Sequence, residues 1–395
     1  MTLFREDAFR LTRSVALAAL ALCANVARLG AQDLRPATVL DPVACAADPS
    51  QTYALYVPSG YTPARPAALL IAFHPAANGR AMVEKFRAAA ERYGYIVAAS
   101  NNSRNGPVAV SAAAAAAVSA DVSRRFAVDP RQVYLAGMSG GARVALAIAL
   151  GGNGIAGVIA SSAGYPDSKP RATLPFAVYG TAGSEDFNYL EMVQLDRALT
   201  TPHRLAIFPG GHGLPPDDVA FDALEWMTLQ AMRSGRRKPD QALVQRMLAK
   251  RRTAAAAATE PAETVHLLEA LVADFRGLAD VSADAARLDQ WSRQRAVVKA
   301  LRREQDAERD EARLAQQTFA LEAALGDPDR REASLMMLRA RLDQWGRTAA
   351  GSVDTPERRR ARRLLRSVVF GASDRLQDRE YLELLETYRR QARAW

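Results

Sequence analysis

The sequence predicts a protein of the α/β class, with a doubly wound and mostly parallel sheet followed by an all-α C-terminal domain. Short apolar runs alternate with helical patterns between residues 51 and 232. The first 240 residues hold 19 of the 24 glycines and 17 of the 20 prolines. The shorter remainder holds 29 of the 52 Lys and Arg residues and 24 of the 43 Asp and Glu residues. A turn-rich part followed by a charged, turn-poor part is typical of a compact α/β domain with helices after it.

Within the first part, the patterns define alternating strands and helices. Strands are predicted where apolar residues alternate or run continuously, over residues 51–57, 67–73, 95–100, 132–136, 155–161, 176–180 and 204–208. Helices are predicted from periodicity over residues 81–93, 110–126, 140–150, 188–199 and 219–232. Strands that alternate with such helices form a parallel sheet covered on both faces, and the active site of such a sheet lies at the carboxyl ends of its strands.

Composition excludes several other classes of protein. The chain has 395 residues, 49% hydrophobic and 24% charged, and is too apolar for a disordered polymer. Its apolar runs are shorter than the roughly 20 residues of a spanning helix, which excludes a multi-pass membrane protein. Two cysteines are too few for a disulfide framework or a Cys-based zinc site, and four histidines are too few for most His-rich metal sites. We expect no metal and no cofactor. The net charge of +9 is divided almost evenly between the two parts, so we expect no nucleic-acid partner.

The N-terminus has the pattern of an export signal. Basic residues precede an apolar run over residues 14–27, and the small residues that follow end at Ala31. A basic segment, a short apolar segment and a small-residue cleavage site define a signal peptide. We therefore expect residues 1–31 to be removed and the protein to be exported, to the periplasm or out of the cell. Cleavage there leaves Cys45 as the remaining thiol, which we interpret as a small buried side chain.

One strand end carries the pattern G-x-S-x-G. Residues 137–141 read Gly-Met-Ser-Gly-Gly, and they follow a predicted strand and open a predicted helix. The glycines permit a sharp turn that exposes the serine hydroxyl above the sheet, and the helix directs N–H groups toward it. We predict that Ser139 is a nucleophile. The alternative interpretation is a glycine turn that only packs a helix on the sheet.

A serine nucleophile needs a base and an acid, which follow it along the chain in this architecture. His212 lies in a glycine-rich loop directly after a strand, whereas His203 and His266 have positions more typical of structural roles. We therefore predict His212 as the base. Asp186 and Glu185 both qualify as the acid on the preceding loop. Asp186 is favoured, because aspartate is the commoner acid in such triads.

The oxyanion of an acyl-transfer reaction needs two N–H groups. The N–H of Gly140, the residue after the nucleophile, supplies one of them. The other is expected from the loop after the strand over 67–73. Pro75 has no N–H, so Ala76 is preferred to Ala77.

Three polar residues follow the predicted strand over 95–100, at the same edge of the sheet. They are Asn101, Asn102 and Arg104. Amide and guanidinium groups there could bind a carboxylate or sugar hydroxyls of a substrate. The alternative is Asx-turn chemistry that holds the loop.

Several segments are shared with one family of enzymes: Asp48–Tyr56, Ser100–Pro107, Gly137–Arg143, Asp186–Asn188 and Gly210–His212. Through them the chain resembles α/β-hydrolases, in the branch of secreted bacterial polyhydroxybutyrate depolymerases, feruloyl esterases and dienelactone-hydrolase-like proteins. The resemblance spans about residues 48–232 and says nothing of the substrate. It implies a serine hydrolase with Ser139, Asp186 and His212 as its triad.

From about residue 241 the sequence is helical. The segment Ala286–Trp291 recurs as Ala340–Trp345, a possible two-copy repeat. Its Leu and Trp are spaced as residues that pack in a core, and a protein-binding surface is the alternative. We expect residues 241–395 to fold separately and residues 32–240 to hold the complete catalytic unit.

The sequence thus predicts a secreted serine hydrolase that cleaves a carboxylic ester, of a small molecule or a polymer, through an acyl-enzyme. A peptidase that uses the same residues is one alternative. Another is a non-catalytic protein of the same fold whose helical arm binds a protein partner. Labelling by a fluorophosphonate, which reacts with activated serines, separates the catalytic hypotheses from the non-catalytic one.

Overall fold

The computed structural model of the protein describes residues 35–167, 171–371 and 378–394. The predicted signal peptide and its cleavage site at Ala31 lie outside the described residues. The strands are β1 (Val39–Ala44), β2 (Thr52–Tyr56), β3 (Ala67–Phe73), β4 (Tyr95–Ser100), β5 (Val128–Met138), β6 (Ile155–Ser161), β7 (Ala177–Gly183) and β8 (His203–Phe208).

The helices fall into those that alternate with the strands and those that follow them. The first group is α1 (Gly79–Tyr93), α2 (Val108–Arg125), α3 (Gly140–Gly151), α4 (Tyr189–Ala198) and α5 (Asp217–Arg233). The second group is α6 (Gln241–Ala257), α7 (Pro261–Phe275), α8 (Ser282–Ser292), α9 (Arg295–Ala324), α10 (Pro328–Ala349), α11 (Pro356–Gly371) and α12 (Arg379–Ala394). None of the described helices is both long and apolar enough to span a membrane.

The eight strands form one sheet in the order β1-β2-β4-β3-β5-β6-β7-β8. β2 pairs antiparallel with β1 and with β4, and the other strand pairs are parallel. The central strands are buried on both faces, which explains why their sequences are continuously apolar. This sheet, with helices on both faces and a helical region after it, has the α/β-hydrolase fold, and the predicted fold class is confirmed.

Strand β1 is present in the structure but was not predicted from the sequence. It holds Pro42, and its register with β2 shifts between Leu40 and Val43. Proline cannot donate a hydrogen bond to a neighbouring strand, so it is tolerated at edges and bulges. β1 is one of the two edge strands of the sheet. The same proline interrupts the alternating pattern from which strands are predicted.

Each face of the sheet has its own hydrophobic core. Helices α2, α3 and α4 cover one face and contribute Val118, Leu146 and Leu195 to its core. Helices α1 and α5 cover the other face and contribute Phe86 and Trp226. The loops that follow the carboxyl ends of β5, β7 and β8 build the candidate site.

The core that contains Trp226 continues beyond residue 240. Val244 of α6 and Phe275 of α7 are fully buried in it, and Leu288 of α8 packs against it. The predicted boundary at 240 therefore falls inside one continuous core. The structure extends that core to α8, because these helices cover apolar surface that α5 leaves open.

The last four helices have a third core of their own. It is formed by buried residues from the end of α9 to α12, among them Leu342, Trp345, Leu365 and Tyr381. The two copies of the repeated segment thus lie in different places, since Leu342 and Trp345 belong to this core and Leu288 packs against the core of the sheet.

Candidate active site

Ser139 occupies the turn between β5 and α3, at the carboxyl edge of the sheet. Its φ of 53° and ψ of −124° lie outside the regions that side-chain-bearing residues prefer, so the turn is strained. A Cβ on Gly137 would lie 2.1 Å from the carbonyl oxygen of Gly141, and a Cβ on Gly141 would lie 2.2 Å from that of Phe73. Glycine at both positions lets the turn come this close to β3, which holds the Ser139 hydroxyl above the sheet edge.

His212 lies on the loop after β8 and contacts Ser139. Its Nε2 is 2.9 Å from Ser139 Oγ, a distance at which the hydroxyl donates to the imidazole. The loop is tied to the neighbouring loop after β7, where the N–H of Glu185 donates to the carbonyl oxygen of Gly210 at 2.8 Å. The two loops therefore hold each other at the sheet edge.

Asp186, on the loop after β7, contacts the other side of the imidazole ring. It is fully buried, and its Oδ1 lies 2.8 Å from His212 Nδ1 and accepts from the N–H of Asn188 at 2.8 Å. The Asn188 side chain donates to the carbonyl oxygen of Ser162 at 2.7 Å, which fixes the start of α4. A carboxylate can only accept, so the ring proton resides on Nδ1 and Nε2 is free to accept from Ser139.

Glu185, the alternative acid of the sequence prediction, points the other way. Its carboxylate lies 2.9 Å from Nη1 of Arg362 and 3.3 Å from Nη1 of Arg366, both on α11. The structure thus brings Asp186 to His212 and directs Glu185 into the last group of helices.

Two other histidines have separate local partners. His203 Nδ1 lies 2.7 Å from the carbonyl oxygen of Thr201. His266, on α7, lies between Glu269 and Glu304, whose carboxylates raise the pKa of its imidazole to about 10. Both residues therefore have contacts that explain them without a role at Ser139.

The predicted oxyanion donors differ in their contacts. Gly140 is the first residue of α3, so its N–H has no acceptor within the helix. The N–H of Ala76 donates to His74 Nδ1 at 3.1 Å, and the N–H of Ala77 donates to the His74 carbonyl oxygen at 3.2 Å. Burial lowers the pKa of His74, which favours the neutral ring that can accept such a bond. Ala76 must give up this bond before its N–H can serve an oxyanion.

The three predicted substrate-binding residues have unequal surroundings. Asn101 Oδ1 accepts from the N–H of Gly79 at 3.1 Å. Asn102 Oδ1 accepts from the N–H of Thr52 at 2.8 Å. Both amides thus hold neighbouring backbone, whereas Arg104 is exposed.

Two residues next to predicted ones also belong to the site. A Cβ on Gly140 would lie 1.9 Å from Oδ1 of Asn105, so the Asn105 side chain covers the start of α3. The ring of Phe187 stacks on the imidazole of His212, with centroids 4.1 Å apart and planes 24° apart. Both lie in segments that carry the family resemblance, Ser100–Pro107 and Asp186–Asn188, but no residue pattern distinguished them from their neighbours.

A cavity of about 570 Å³ lies beside His212. The loop after β8 forms one wall, and Arg366 and Phe370 of α11 form another. No local pattern could have placed α11 here, because Arg366 is 181 positions away from Glu185, the residue that it contacts.

The contacts of Ser139, His212 and Asp186 define what the site can do chemically. As the hydroxyl attacks an electrophilic carbon, the imidazole can take its proton, and the carboxylate stabilises the charged ring. The N-terminus of α3 adds a positive dipole end beside the attacking oxygen. The geometry therefore suits nucleophilic catalysis by serine.

No protein-family model matches this chain, and no curated protein matches it. Solved structures with similarity to it include the esterase Est2 of Thermogutta terrifontis bound to propionate, at 18% identity, a TM-score of 0.38, and coverage of 48% of this chain and 92% of that one. Est2 phosphonylated by cyclosarin has 18% identity, a TM-score of 0.37, and coverage of 48% and 91%. Est1E of Butyrivibrio proteoclasticus has 15% identity, a TM-score of 0.37, and coverage of 46% and 94%. The assignment of the fold rests on the strand order and on the turn at Ser139.

Proposed function

We propose that this protein is a serine hydrolase that cleaves carboxylic esters through an acyl-enzyme. The observation that carries the proposal is the hydrogen-bond chain from Ser139 Oγ through His212 to Asp186, with 2.9 Å and 2.8 Å between the bonded atoms. The strained turn that presents Ser139 adds to it, since strain of this kind clusters at functional sites.

In the proposed reaction, Ser139 Oγ forms a bond to the ester carbonyl carbon while its proton passes to His212 Nε2. The tetrahedral intermediate collapses as the bond to the leaving alkoxide breaks and His212 returns the proton to that oxygen. Water then attacks the acyl-enzyme by the same route, which releases the acid and restores the Ser139 hydroxyl. Asp186 stays ionised throughout and stabilises the imidazolium.

The charge on the carbonyl oxygen is proposed to be met by the N–H groups of Gly140 and Ala76. Gly140 is already oriented by the helix that it begins. Ala76 serves once its N–H has turned away from His74 Nδ1. Loss of one such donor typically costs about 3 kcal/mol of transition-state stabilisation, so this rearrangement matters for the rate.

A fluorophosphonate probe tests the proposal, because it bonds only to a serine that is activated as a nucleophile. We expect the wild-type protein to be labelled and Ser139→Ala to be unlabelled, with thermal unfolding nearly unchanged. Ser123→Ala, which removes an exposed serine on α2, is the matched control and should be labelled normally. Labelling of Ser139→Ala at the wild-type rate contradicts the proposal.

We also propose that the protein acts outside the cytoplasm, after cleavage at Ala31. The support is the basic and apolar pattern of residues 1–31. Mass spectrometry of the N-terminus of protein recovered from the producing cells tests this. A mature chain that begins at Gln32 is the expected result, and an intact Met1 on cytoplasmic protein contradicts it.

The proposal of an ester substrate rather than a peptide needs its own test, because a peptidase can use the same Ser139, His212 and Asp186. Hydrolysis of p-nitrophenyl acetate compared with the matching p-nitroanilide measures this preference. Substantially faster cleavage of the ester is expected. Faster cleavage of the anilide would favour the peptidase alternative.

A further inference from the structure

The four residues 184–187 form the turn that carries Asp186, and we call them the acid turn. Its members on either side of Asp186 contact helix α11. Arg363 Nη1 donates to the carbonyl oxygen of Ser184. Arg366 Nη1 donates to the carbonyl oxygen of Glu185 at 3.2 Å. The backbone just before the candidate acid is therefore held by two guanidinium groups from a helix remote in sequence.

The side chain of Glu185 strengthens this attachment. It is 8% exposed, and its carboxylate accepts from Arg362 Nη1 at 2.9 Å and 3.1 Å and from Arg366 Nη1 at 3.3 Å. Arg358 Nη2 lies 3.8 Å from the same carboxylate. Charged hydrogen bonds of this kind have a defined geometry, and removal of one partner leaves the others buried without compensation. The cluster thus fixes Glu185 in one orientation, and with it the direction of the next residue, Asp186.

A second contact runs from α11 to the imidazole itself. Phe370 packs against Phe187 with ring centroids 6.1 Å apart, and Phe187 stacks on His212 at 4.1 Å. The Arg366 guanidinium also packs on Gly211, where a Cβ would lie 3.0 Å from Nη1. Helix α11 therefore contacts the residues beside both members of the Asp186–His212 pair.

We propose that α11 is a positioning element of the active site, in which Arg362 and Arg366 act through Glu185 and Phe370 acts through Phe187. The inference rests on the proposed function, since positioning matters for a reaction that uses Asp186 and His212. None of these five residues takes part in the chemistry. They hold the acid turn and the ring in the geometry that the reaction needs, so the site depends on the last group of helices.

A merely structural interface predicts a different result from a positioning one. If α11 only stabilises the fold, loss of these contacts lowers the unfolding temperature and leaves the Asp186–His212 hydrogen bond intact in the folded protein. If it positions the pair, that hydrogen bond weakens while the protein remains folded. The proton on His212 Nδ1 reports this directly, because a strongly hydrogen-bonded imidazole proton gives a separate downfield signal in proton NMR spectra.

The experiment compares two full-length variants with two matched controls. Glu185→Gln removes the charge that the arginines bind, and Asp274→Asn removes another buried carboxylate that pairs with an arginine, far along the chain from the acid turn. Phe370→Ala removes a side chain that is 43% exposed, and Phe319→Ala removes one that is 66% exposed on α9. Because Phe370 is so exposed, its variant is expected to fold even where Glu185→Gln does not.

We expect the downfield proton signal in the wild type and in both controls, and its loss or broadening in Glu185→Gln and Phe370→Ala. For the same two variants, kcat for p-nitrophenyl acetate should fall by roughly ten- to a hundredfold, because small displacements of catalytic groups have effects of this size. Phe370→Leu, which keeps an apolar contact with Phe187, should restore part of the loss.

Two results separate this inference from the proposed function. Unchanged signal and unchanged kcat in a folded Phe370→Ala and Glu185→Gln overturn the positioning role, even if Ser139 is labelled by the probe. If the probe does not label the wild-type protein, the proposed function is wrong. If the downfield proton signal of that protein is nevertheless lost in Glu185→Gln and Phe370→Ala, the positioning of Asp186 and His212 by α11 is upheld.

Discussion

The two sets of helices that follow the sheet are attached to it in different ways. Helices α6–α8 bury apolar side chains such as Val244 and Phe275 in the core of the sheet itself. Helices α9–α12 have a core of their own and meet the acid turn chiefly through arginines of α11. Apolar burial is non-directional and drives folding, whereas charged hydrogen bonds are directional and fix geometry. The first set is therefore needed for the fold, and the second for the precision of the site.

The largest expected effect comes from cutting the chain between α5 and α6. A fragment of residues 32–240 lacks Val244 and Phe275, and exposes Trp226 and the side chains around it. Loss of a single large core side chain typically costs about 2–5 kcal/mol, and domains are stable by only about 5–15 kcal/mol. We expect this fragment to show no cooperative thermal unfolding by circular dichroism.

A fragment of residues 32–292 is the matched control, because it keeps α6–α8 and the complete core of the sheet. It should unfold cooperatively, and its activity should be impaired through the loss of α11. Cooperative thermal unfolding of the 32–240 fragment would show that the domain boundary lies near residue 240, as composition predicts.

The next largest effect separates the two neighbouring carboxylates on the acid turn. Asp186→Asn presents an amide to His212 and favours the wrong ring tautomer, so kcat should fall by roughly 10⁴-fold. Glu185→Gln acts only through position, so its loss should be roughly ten- to a hundredfold. Steady-state kinetics on p-nitrophenyl acetate measures both, and a greater loss for Glu185→Gln would transfer the acid role to Glu185.

Sequence patterns could predict the positions of site residues whose backbone is determined by neighbouring residues in the chain. The glycines around Ser139 define its turn without help from the rest of the chain, and the glycine loop of His212 follows directly from a strand end. Local sequence could not decide whether Asp186 or Glu185 is the acid, because adjacent side chains point in opposite directions. Only their contacts in the folded protein distinguish them. One faces His212 and the other faces Arg362.

The same reason explains what the patterns missed. Composition changes near residue 240 because the secondary structure changes from α/β to all-α, but membership of a core depends on which apolar faces meet. Phe275 belongs to the core of the sheet although it lies in the charged part of the chain. The role of Ala76 also depended on a contact, since its N–H is bonded to His74.

A smaller effect is expected at a buried ionic contact between α7 and the sheet. Asp274 is buried, pairs with Arg204 on β8, and accepts from Trp226 Nε1 at 2.7 Å. Asp274→Asn leaves the buried guanidinium without its counter-charge, which should cost about 3–5 kcal/mol of stability. Thermal and urea unfolding measure the loss, and kcat below the unfolding temperature should be unchanged.

The control for this prediction is Asp289→Asn on α8. Asp289 pairs with Arg293 at 2.8 Å, but both side chains are well exposed. Exposed pairs contribute little, so no measurable change in stability is expected. Equal losses for the two variants would mean that burial does not set the strength of these contacts.

The smallest effect concerns His266, which joins the two sets of helices. It lies on α7, and its Nε2 is 3.0 Å from Glu304 on α9. Interactions of the imidazole with the acceptor carboxylates of Glu269 and Glu304 raise its pKa from 6.5 to about 10. A group whose pKa is raised on folding stabilises the protein fully below its unfolded pKa, and this stabilisation is lost as the pH rises through the folded value.

His266→Gln should therefore lower the unfolding temperature at pH values below about 6.5 and have progressively less effect as the pH approaches about 10. The side chain is 54% exposed, so water and salt screen the interaction, and the difference should shrink further at high ionic strength. Differential scanning calorimetry of both proteins across this pH range, at low and high salt, measures it. A difference that grows with pH would show that His266 acts through packing and not through its charge.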